Sequence, residues 1–256
     1  MRAGHRGATV VLQSFRSHDV PAWITTCMRS VEAWAAGAGH RYERMDDAFF
    51  ALAPAWARRR CADNLYAVTD LARLAWMRAT LAKGASRVVW MDADVLMFRP
   101  DRFALSDAGH GFARELFLAV DDDGTTAITE GVNNAVMTFM HGDPMPERYW
   151  SAATAALRAL PDGPVPRTAL GPALLERLDR AWPLTRIEGV GLYTWAILHD
   201  LVHGAGVLLE QADAAMPARP ACANLCHFLR NLTPESGRAD FDRTCLEAVK
   251  RLLATP

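Results

Sequence analysis

The chain has 256 residues, of which 51% are hydrophobic and 22% charged, so it is long enough to bury a sizeable core and has an ordinary globular composition. Its 28 Lys and Arg residues nearly balance its 29 Asp and Glu residues, and the formal charge of −1 argues against a general nucleic-acid binder, which normally carries a basic surplus. No apolar run approaches the ~20 residues that span a bilayer. The N-terminal apolar run is short and predicts a first strand, not a signal peptide.

The cysteines are odd in number and scattered, which predicts free thiols and a cytoplasmic location. They are Cys27, Cys61, Cys222, Cys226 and Cys245. The chain shows no internal repeat, low-complexity tract or linker. We therefore expect a single domain over residues 1–256.

The first elements alternate between strand and helix. Residues 8–15 (ATVVLQSF) form a short apolar run typical of a buried strand, and residues 40–47 alternate weakly and could form a second strand. Between them, apolar residues recur at helical spacing after Pro21, namely Trp23, Cys27, Val31 and Trp34.

A second helix–strand pair follows. Residues 63–83 have a strongly helical pattern that ends at Gly84, and residues 87–91 (RVVWM) are typical of a central parallel strand. The remaining candidates are strands over 117–120 and 134–140 and helices over 150–160, 169–179 and 240–253. This alternation predicts an α/β fold with a mixed, mainly parallel central sheet flanked by helices.

The stretch from residue 88 to residue 100 reads VVWMDADVLMFRP and places Asp92 and Asp94 between two apolar runs. In an extended segment residues i and i+2 point the same way, so both carboxylates could converge on one ligand at the carboxyl end of the strand. Two close like charges repel, and a hard cation such as Mg²⁺ or Mn²⁺, with diphosphate oxygens completing its shell, relieves that repulsion. Alternatively, the two acids are turn residues that bind backbone amides.

Residues 69–98 (TDLARLAWMRATLAKGASRVVWMDADVLMF) resemble the donor-binding segment of glycosyltransferases of the GT-A fold, a Rossmann-like nucleotide-diphospho-sugar transferase fold. The similarity is to the sugar-binding-region family, which includes capsular polysaccharide transferases, α-1,6-mannosyltransferase and the glucosyltransferase domains of clostridial toxins. The strand and Asp-x-Asp motif also resemble the glycogenin-type family. The resemblance implies a nucleotide-sugar-binding half over residues 1–125 and an acceptor-binding half over residues 126–256.

The resemblance assigns roles to four residues of this segment. Asp70 and Arg73 match an acid-x-x-Arg pair that contacts sugar hydroxyls and the diphosphate, which makes them candidate catalytic and donor-binding residues. Asp92 matches the first motif aspartate, near the ribose and the metal, and Asp94 matches the direct metal ligand. Asp70 and Arg73 could instead form an ordinary i,i+3 ion pair on one helix face.

Further candidates lie outside this segment. Residues 131–144 resemble the family's asparagine and following strand, so Asn133 or Asn134 would face the transferred sugar or the acceptor, unless the pair only forms a turn. Gly171 and Pro172 resemble the family's Gly-Pro before a helix. His227 matches the late histidine that is the third metal ligand in the glycogenin-type family, and a buried structural histidine is its alternative.

Two groups of residues follow predicted strands. Gln13, Ser14 and Phe15 follow the first strand, where GT-A folds bind the nucleotide base, so they are donor-binding candidates. Residues 121–123 are three aspartates after the strand at 117–120, and they contact the acceptor or form a solvated turn.

We therefore expect a metal-dependent glycosyltransferase that moves a sugar from a nucleotide-diphosphate sugar, UDP-linked, to a carbohydrate or other acceptor with retention of configuration. Departures from the family leave the subfamily and donor sugar open, because the interval from Asp70 to Asp92 is longer than in toxin-like members. One alternative is a haloacid-dehalogenase-type phosphohydrolase with Asp92 as nucleophile, although only Lys250 follows the motif as a candidate lysine. The other alternative is a domain that binds a nucleotide sugar without transferring it.

Overall fold

The structure is a computed structural model that describes residues 7–61, 64–227 and 240–254. Its strands form two sheets, described below. They are β1 (Thr9–Ser14), β2 (Arg41–Met45), β3 (Arg87–Met91), β4 (Val95–Met97), β5 (His110–Val120), β6 (Thr126–Met140), β7 (Arg186–Ile187), β8 (Val190–Leu192) and β9 (Cys222–Asn224).

The helices pack around these sheets. They are α1 (Ala22–Gly37), α2 (Ala55–Arg60), α3 (Leu65–Ala82), α4 (Met145–Ala159), α5 (Pro172–Ala181), α6 (Trp195–His203), α7 (Val207–Ala215) and α8 (Phe241–Ala254), with short 3₁₀ helices at Asp47–Leu52 and Pro100–Arg102. No helix in the described ranges is both long and apolar enough to cross a membrane.

The six-stranded sheet has the order β2-β1-β3-β6-β5-β7. Strand β1 pairs in parallel with β2 and β3, whereas β6 runs antiparallel to both β3 and β5, and β5 pairs in parallel with β7. The predicted α/β class with a mixed central sheet and flanking helices is therefore confirmed. Strands from both predicted halves of the chain share this sheet, because β6 pairs with β3.

Strand β3 is covered on both faces, which explains its continuous apolar run. Val88 and Trp90 pack into the core that contains α3, α4 and α5, whereas Val89 and Met91 pack into the core beside α1. A third core joins α1, α6 and α8 to β9. The residues that follow β3 therefore emerge at the edge of a fully buried strand.

Helix α3 carries two charged residues into the first core. It begins at Asn64, whose side chain accepts a hydrogen bond from the amide of Tyr66, and it ends before Gly84, which has a φ of +97°. Asp70 and Arg73 are both only 6% exposed on this helix. Burying charges is costly unless they are paired, so these two residues need partners in the core.

The sequence pattern does not predict α2, α6, α7, β4, β7, β8 or β9. Strands β4, β9 and β8 form a small second sheet in which β9 pairs antiparallel with β4 and parallel with β8. The chain passes from β3 in the large sheet directly into β4 in the small one. The Asp-x-Asp motif lies at this junction.

Candidate active site

The motif forms a tight turn at the carboxyl end of β3. The amide of Val95 donates to the carbonyl of Asp92 at 3.1 Å, and the amide of Asp92 donates to the carbonyl of Ala135 on β6 at 2.8 Å. The expectation of an extended segment is therefore wrong, because the chain reverses into β4 between the two aspartates. As a result, Asp92 and Asp94 are held by different neighbours.

Asp92 is held by the α3 side of the sheet. Its Oδ1 atom accepts a hydrogen bond from the indole Nε1 of Trp90 at 2.7 Å and lies 3.2 Å from Nη1 of Arg73. Its backbone carbonyl accepts from Nε2 of Gln13 at 3.1 Å. Trp90 precedes Asp92 by two residues and so lies on the same side of the strand, which makes this contact a local one.

Arg73 is the centre of a buried polar network. Its Nη1 atom donates to the carbonyl of Asn134 at 2.8 Å, and its Nη2 atom lies 3.5 Å from Oδ1 of Asp70. The guanidinium also lies over the ring of Trp90, 5.2 Å from its centroid. The structure thus brings together the predicted residues Asp70, Arg73, Asp92 and Asn134.

Asn134 links this network to the loop before α5. Its Nδ2 atom donates to Oδ1 of Asp70 at 2.8 Å and approaches the hydroxyl of Tyr149 at 3.4 Å. That hydroxyl donates to the carbonyl of Leu170 at 2.7 Å. At Gly171, a Cβ atom would lie 3.3 Å from the Asn134 amide group and 3.4 Å from Oδ2 of Asp70, so this glycine allows the loop to approach closely.

The network changes the acidity of its members. Burial raises the pKa of Asp70 to about 6, although Arg73 and the hydrogen bond from Asn134 act in the opposite direction. Burial also raises the pKa of Asp92 to about 6, and Asp94 adds to the rise while Arg73 and Trp90 oppose it. Burial disfavours the charge of Arg73 too, but the two carboxylates outweigh it and raise its pKa. Arg73 therefore stays charged and stabilises both carboxylates.

Asp94 lies on the other side of the turn, against β9. Its Oδ2 atom accepts a hydrogen bond from the backbone amide of His227 at 2.7 Å, and its carbonyl accepts from the amide of Leu225 at 3.1 Å. Its Oδ1 atom is buried and has no hydrogen-bond donor among the residues that the structure describes. Burial raises the pKa of Asp94, although the bond from His227 lowers it.

The two carboxylates fit a hard divalent cation. Mg²⁺ and similar ions often take one or two carboxylates and complete their shell with water and substrate phosphates. The unpaired Oδ1 atom of Asp94 is the kind of acceptor that a cation satisfies, and the mutual repulsion of Asp92 and Asp94 is what a cation relieves. Within residues 7–61, 64–227 and 240–254, no three His, Cys, Asp or Glu side chains cluster as a metal site.

His227 contacts Asp94 through its backbone, and its imidazole packs among aromatic rings. The ring centroid lies 6.0 Å from that of Trp23 and 6.2 Å from that of Phe241. The assignment of the imidazole as a third metal ligand stays a prediction. Because the backbone amide makes the contact with Asp94, the type of side chain at position 227 does not predict it.

The three candidates at the carboxyl end of β1 have different contacts. Gln13 is fully buried, and its Oε1 atom accepts from the hydroxyl of Tyr42 at 2.9 Å, so both ends of its amide are engaged. Ser14 and Phe15 are partly exposed at the end of the strand. Phe15 packs against the core of α1, α6 and α8. Gln13 thus positions the Asp92 backbone, and Ser14 and Phe15 border the same strand ends.

The remaining sequence candidates lie on β6, in the turn between β5 and β6, and on α8. Asn133, the neighbour of Asn134, donates from its side chain to Glu115 on β5. The aspartates at 121–123 lie in the exposed tip between β5 and β6. Lys250 lies on α8, where it contacts Glu247 at 3.4 Å.

Sequence reasoning missed two residues of this site, Trp90 and Tyr149. Trp90 could have been found, because it lies two positions before Asp92 on the same strand face. Tyr149 could not, since it comes from α4 and meets Asn134 only in the folded chain.

No family model matches the chain, and no curated protein matches it. Among solved structures, the chain is similar to the one titled "Crystal structure of a glycosyltransferase involved in the glycosylation of the major capsid of PBCV-1", with 13% sequence identity, a TM-score of 0.49, and coverage of 93% of this chain and 98% of that chain. At this identity and TM-score the likeness does not establish a common function.

Proposed function

We propose that the chain is a glycosyltransferase of the GT-A type that transfers a sugar from a nucleotide-diphosphate sugar, UDP-linked, with the help of Mn²⁺ or Mg²⁺. One observation carries the proposal. Two carboxylates follow a central strand at its carboxyl end: Asp92 lies 3.2 Å from the buried Arg73, and Oδ1 of Asp94 is buried without a hydrogen-bond donor among the residues that the structure describes. Ligands bind at this edge in open α/β sheets.

In this proposal Asp92 and Asp94 hold the cation. A bound divalent cation supplies Lewis-acid stabilisation of the negative charge on a departing diphosphate. The hydrogen bond from the His227 amide fixes Asp94, and the bonds from Trp90 and Arg73 fix Asp92. The side chains are therefore oriented before a ligand arrives, which lowers the cost of ordering them.

Arg73 keeps positive charge at the motif, and Asp70 and Asn134 would contact the donor sugar. A guanidinium matches phosphate oxygens well, but here its Nη atoms already contact Asn134, Asp70 and Asp92. We therefore assign Arg73 an electrostatic role toward the diphosphate through its charge. We include retention of configuration in the proposal only because the families that the sequence resembles retain it.

The haloacid-dehalogenase alternative gains no support from the lysine that it requires. Lys250 is on the exposed face of the last helix, beside Glu247. The nucleophile of such an enzyme would be Asp92, but its Oδ1 atom is bound to Trp90 and Arg73. A domain that binds a nucleotide sugar without transferring it would use the same residues. Only a measurement of transfer activity therefore distinguishes it from the proposed transferase.

A thermal-shift screen with UDP-, GDP- and dTDP-sugars, each with and without Mn²⁺, tests the proposal. We expect a rise in Tm that requires both a UDP-sugar and the metal, because a ligand that binds only the folded state stabilises it. Asp94→Asn should abolish this joint shift, whereas Asp101→Asn, an exposed acid just beyond the motif, should keep it.

Turnover decides between transfer and mere binding. Release of UDP from the stabilising UDP-sugar in the presence of Mn²⁺, lost in Asp94→Asn, would support the transferase. Metal-dependent binding without any release, over a broad acceptor panel, would favour the binding domain. A nucleotide-sugar shift that persists in Asp94→Asn would contradict the proposed site.

A further inference from the structure

A cleft lies between strand β6 and helix α5, and we call it the α5–β6 cleft. Its β6 wall consists of Glu130, Gly131 and Val132, and its α5 wall includes Glu176, Asp179 and Arg180. Its volume is about 370 Å³, within the range of ligand-binding sites.

The α5–β6 cleft lies on the two elements that lead to the candidate active site. On one wall, Val132 comes two residues before Asn134 along β6. On the other, Gly171 is the N-cap residue of α5, and a Cβ atom there would lie 3.3 Å from the Asn134 amide group and 3.4 Å from Oδ2 of Asp70. Both walls of the cleft thus run along the chain toward residues of the network around Arg73.

A carboxylate on β5 lies between the cleft and the residue that precedes Asn134. Glu115 accepts a hydrogen bond from the side chain of Asn133, the residue beside Asn134. Burial raises the pKa of Glu115, the bond from Asn133 lowers it, and the charge of Glu176 in the cleft raises it further. At Gly131 in the cleft lining, a Cβ atom would lie 3.8 Å from the Cβ atom of Glu115, so Glu115 lies beside the cleft as well as beside Asn133.

Most of the residues that line the cleft are charged, and both signs are present. Asp179 pairs with Arg186 at 2.7 Å, and Glu130 pairs with Arg114 outside the cleft. Among the described residues, the carboxylate of Glu176 makes no ion pair or hydrogen bond, and it is exposed. The cleft thus offers both hydrogen-bond acceptors and guanidinium donors.

This lining suits a neutral, hydroxyl-rich ligand. A strongly anionic ligand would meet the carboxylates of Glu130, Glu176 and Asp179, and a strongly cationic one would meet Arg180 and Arg186. A hydroxyl group can both donate to a carboxylate and accept from a guanidinium. Val132 is the only sizeable apolar side chain in the lining, which disfavours a lipid-like ligand.

We infer that the α5–β6 cleft is the acceptor subsite and that the acceptor presents a neutral saccharide to it. The inference rests on the proposed glycosyl transfer and adds the class of the acceptor and the residues that hold it. Glu176 and Arg180 are positioned to bind acceptor hydroxyls, and the acceptor end that reaches Asn134 is the one that receives the sugar.

The test compares Glu176→Ala and Arg180→Ala with the control Arg177→Ala. All three residues are exposed on α5, and Arg177 does not line the cleft. The probes are methyl glycosides of glucose, galactose and mannose, and lactose, with the UDP-sugar that stabilises the wild-type protein and Mn²⁺. Two rates are measured for each variant, namely donor hydrolysis without acceptor and transfer to the best saccharide.

We expect each cleft variant to raise the acceptor KM about tenfold, because this is the effect of losing one or two hydrogen bonds to a ligand. Donor hydrolysis should stay within twofold of wild type, and Arg177→Ala should change neither rate. An unchanged acceptor KM in both cleft variants would overturn the inference. So would transfer only to peptides or lipids, or an equal loss of hydrolysis and transfer.

Saccharide binding by saturation-transfer NMR gives a readout that does not need a donor. Binding of a methyl glycoside that is lost in Glu176→Ala and Arg180→Ala, but kept in Arg177→Ala, supports the cleft even if no nucleotide sugar is turned over. Absence of saccharide binding and of saccharide transfer in an enzyme that hydrolyses its donor overturns the cleft and leaves the proposed function standing.

Discussion

Asp92 and Asp94 lie at the same turn, yet the regions around them provide very different numbers of partners. On the α3 side, Asp92 receives bonds from Trp90 and Arg73, and Gln13 holds its backbone. On the β9 side, Asp94 receives one bond from the His227 amide, and its other carboxylate oxygen has no donor in the described part of the chain. The Asp92 carboxylate is therefore well satisfied by the protein itself, whereas the Asp94 carboxylate keeps one oxygen that a ligand could satisfy.

This difference leads us to expect different main roles for the two carboxylates. Asp92 satisfies buried groups of the protein, and Asp94 has an oxygen left for a ligand. A buried polar atom without a partner costs free energy, so its persistence suggests a functional use. We therefore expect changes on the α3 side to affect stability first, and changes at Asp94 to affect ligand binding first.

Arg73→Met should give the largest effect. It leaves Asp70 and Asp92 buried without their cation, and breaking a buried ion pair in this way costs about 3–5 kcal/mol of unfolding free energy. Urea denaturation measures this loss. Arg78→Met on the same helix is the control, because Arg78 pairs with the exposed Glu147 and should cost less than about 1 kcal/mol. Equal losses in the two variants would contradict the central role of Arg73.

Replacing the two motif aspartates in turn tests the comparison directly. Without ligand, Asp92→Asn should lower the unfolding free energy by about 1–3 kcal/mol, since Arg73 and Trp90 lose their charged partner. Asp94→Asn should stay within about 0.5 kcal/mol of wild type or above it, because it removes a buried charge with an unpaired oxygen. Both variants should lose the metal-dependent thermal shift. A larger loss of stability in Asp94→Asn would reverse the comparison.

The unfolding free energy should depend on pH, because the carboxyl groups of Asp70 and Asp92 are buried on the α3 side. Asp70 and Asp92 have folded-state pKa values of about 6, above their ordinary value of 3.8, so the folded chain binds more protons than the unfolded chain between these values. Their contribution to stability is therefore present at low pH and is lost as the pH rises through about 6, by on the order of 3 kcal/mol for each carboxyl group.

The measurement is the slope of unfolding free energy against pH between 4 and 7, in wild type and in Asp70→Asn. The difference between the two curves should fall with rising pH. A difference that grows with pH would mean that Arg73 outweighs burial at Asp70. In Arg73→Met the fall should be steeper and extend to higher pH, because the group that lowers both carboxyl pKa values is absent.

His227→Ala should give the smallest effect on the metal response. The backbone amide that binds Asp94 is kept in this variant, so the Mn²⁺ concentration at half-maximal thermal shift should change less than about threefold. Some stability should be lost through the contacts with Trp23 and Phe241. A change of a hundredfold or more would instead make the imidazole a direct metal ligand.

The sequence predicts the elements that carry strong local patterns. Strand β3 follows from its continuous apolar run and α3 from its apolar spacing, and both place the motif and Arg73 correctly at the edge of the sheet. The short strands β4, β8 and β9 have no such pattern, because each has only three residues and pairs with a distant part of the chain. The tight turn at the motif depends on that pairing, so it could not be predicted locally.

The candidate site shows the same division. Asp70 and Arg73 are about one helical turn apart on α3, so their contact can be predicted from the sequence. Asn134 is predicted only through the family resemblance. The partner of Asp94 is a backbone amide, which any residue other than proline at position 227 would supply. The α5–β6 cleft arises from two elements whose facing residues are far apart in the chain. Sequence patterns do not report such surfaces.

The turn between β3 and β4 also fixes how long the motif can be. The turn is where one strand register ends and another begins, with Met91 opposite Val136 in the large sheet and Val95 opposite Asn224 in the small one. Adding or removing one residue would move every side chain of one of these strands to the wrong face of its sheet. The spacing of the two carboxylates is therefore set by two sheets at once, so substitutions at this site can be absorbed far more easily than insertions or deletions.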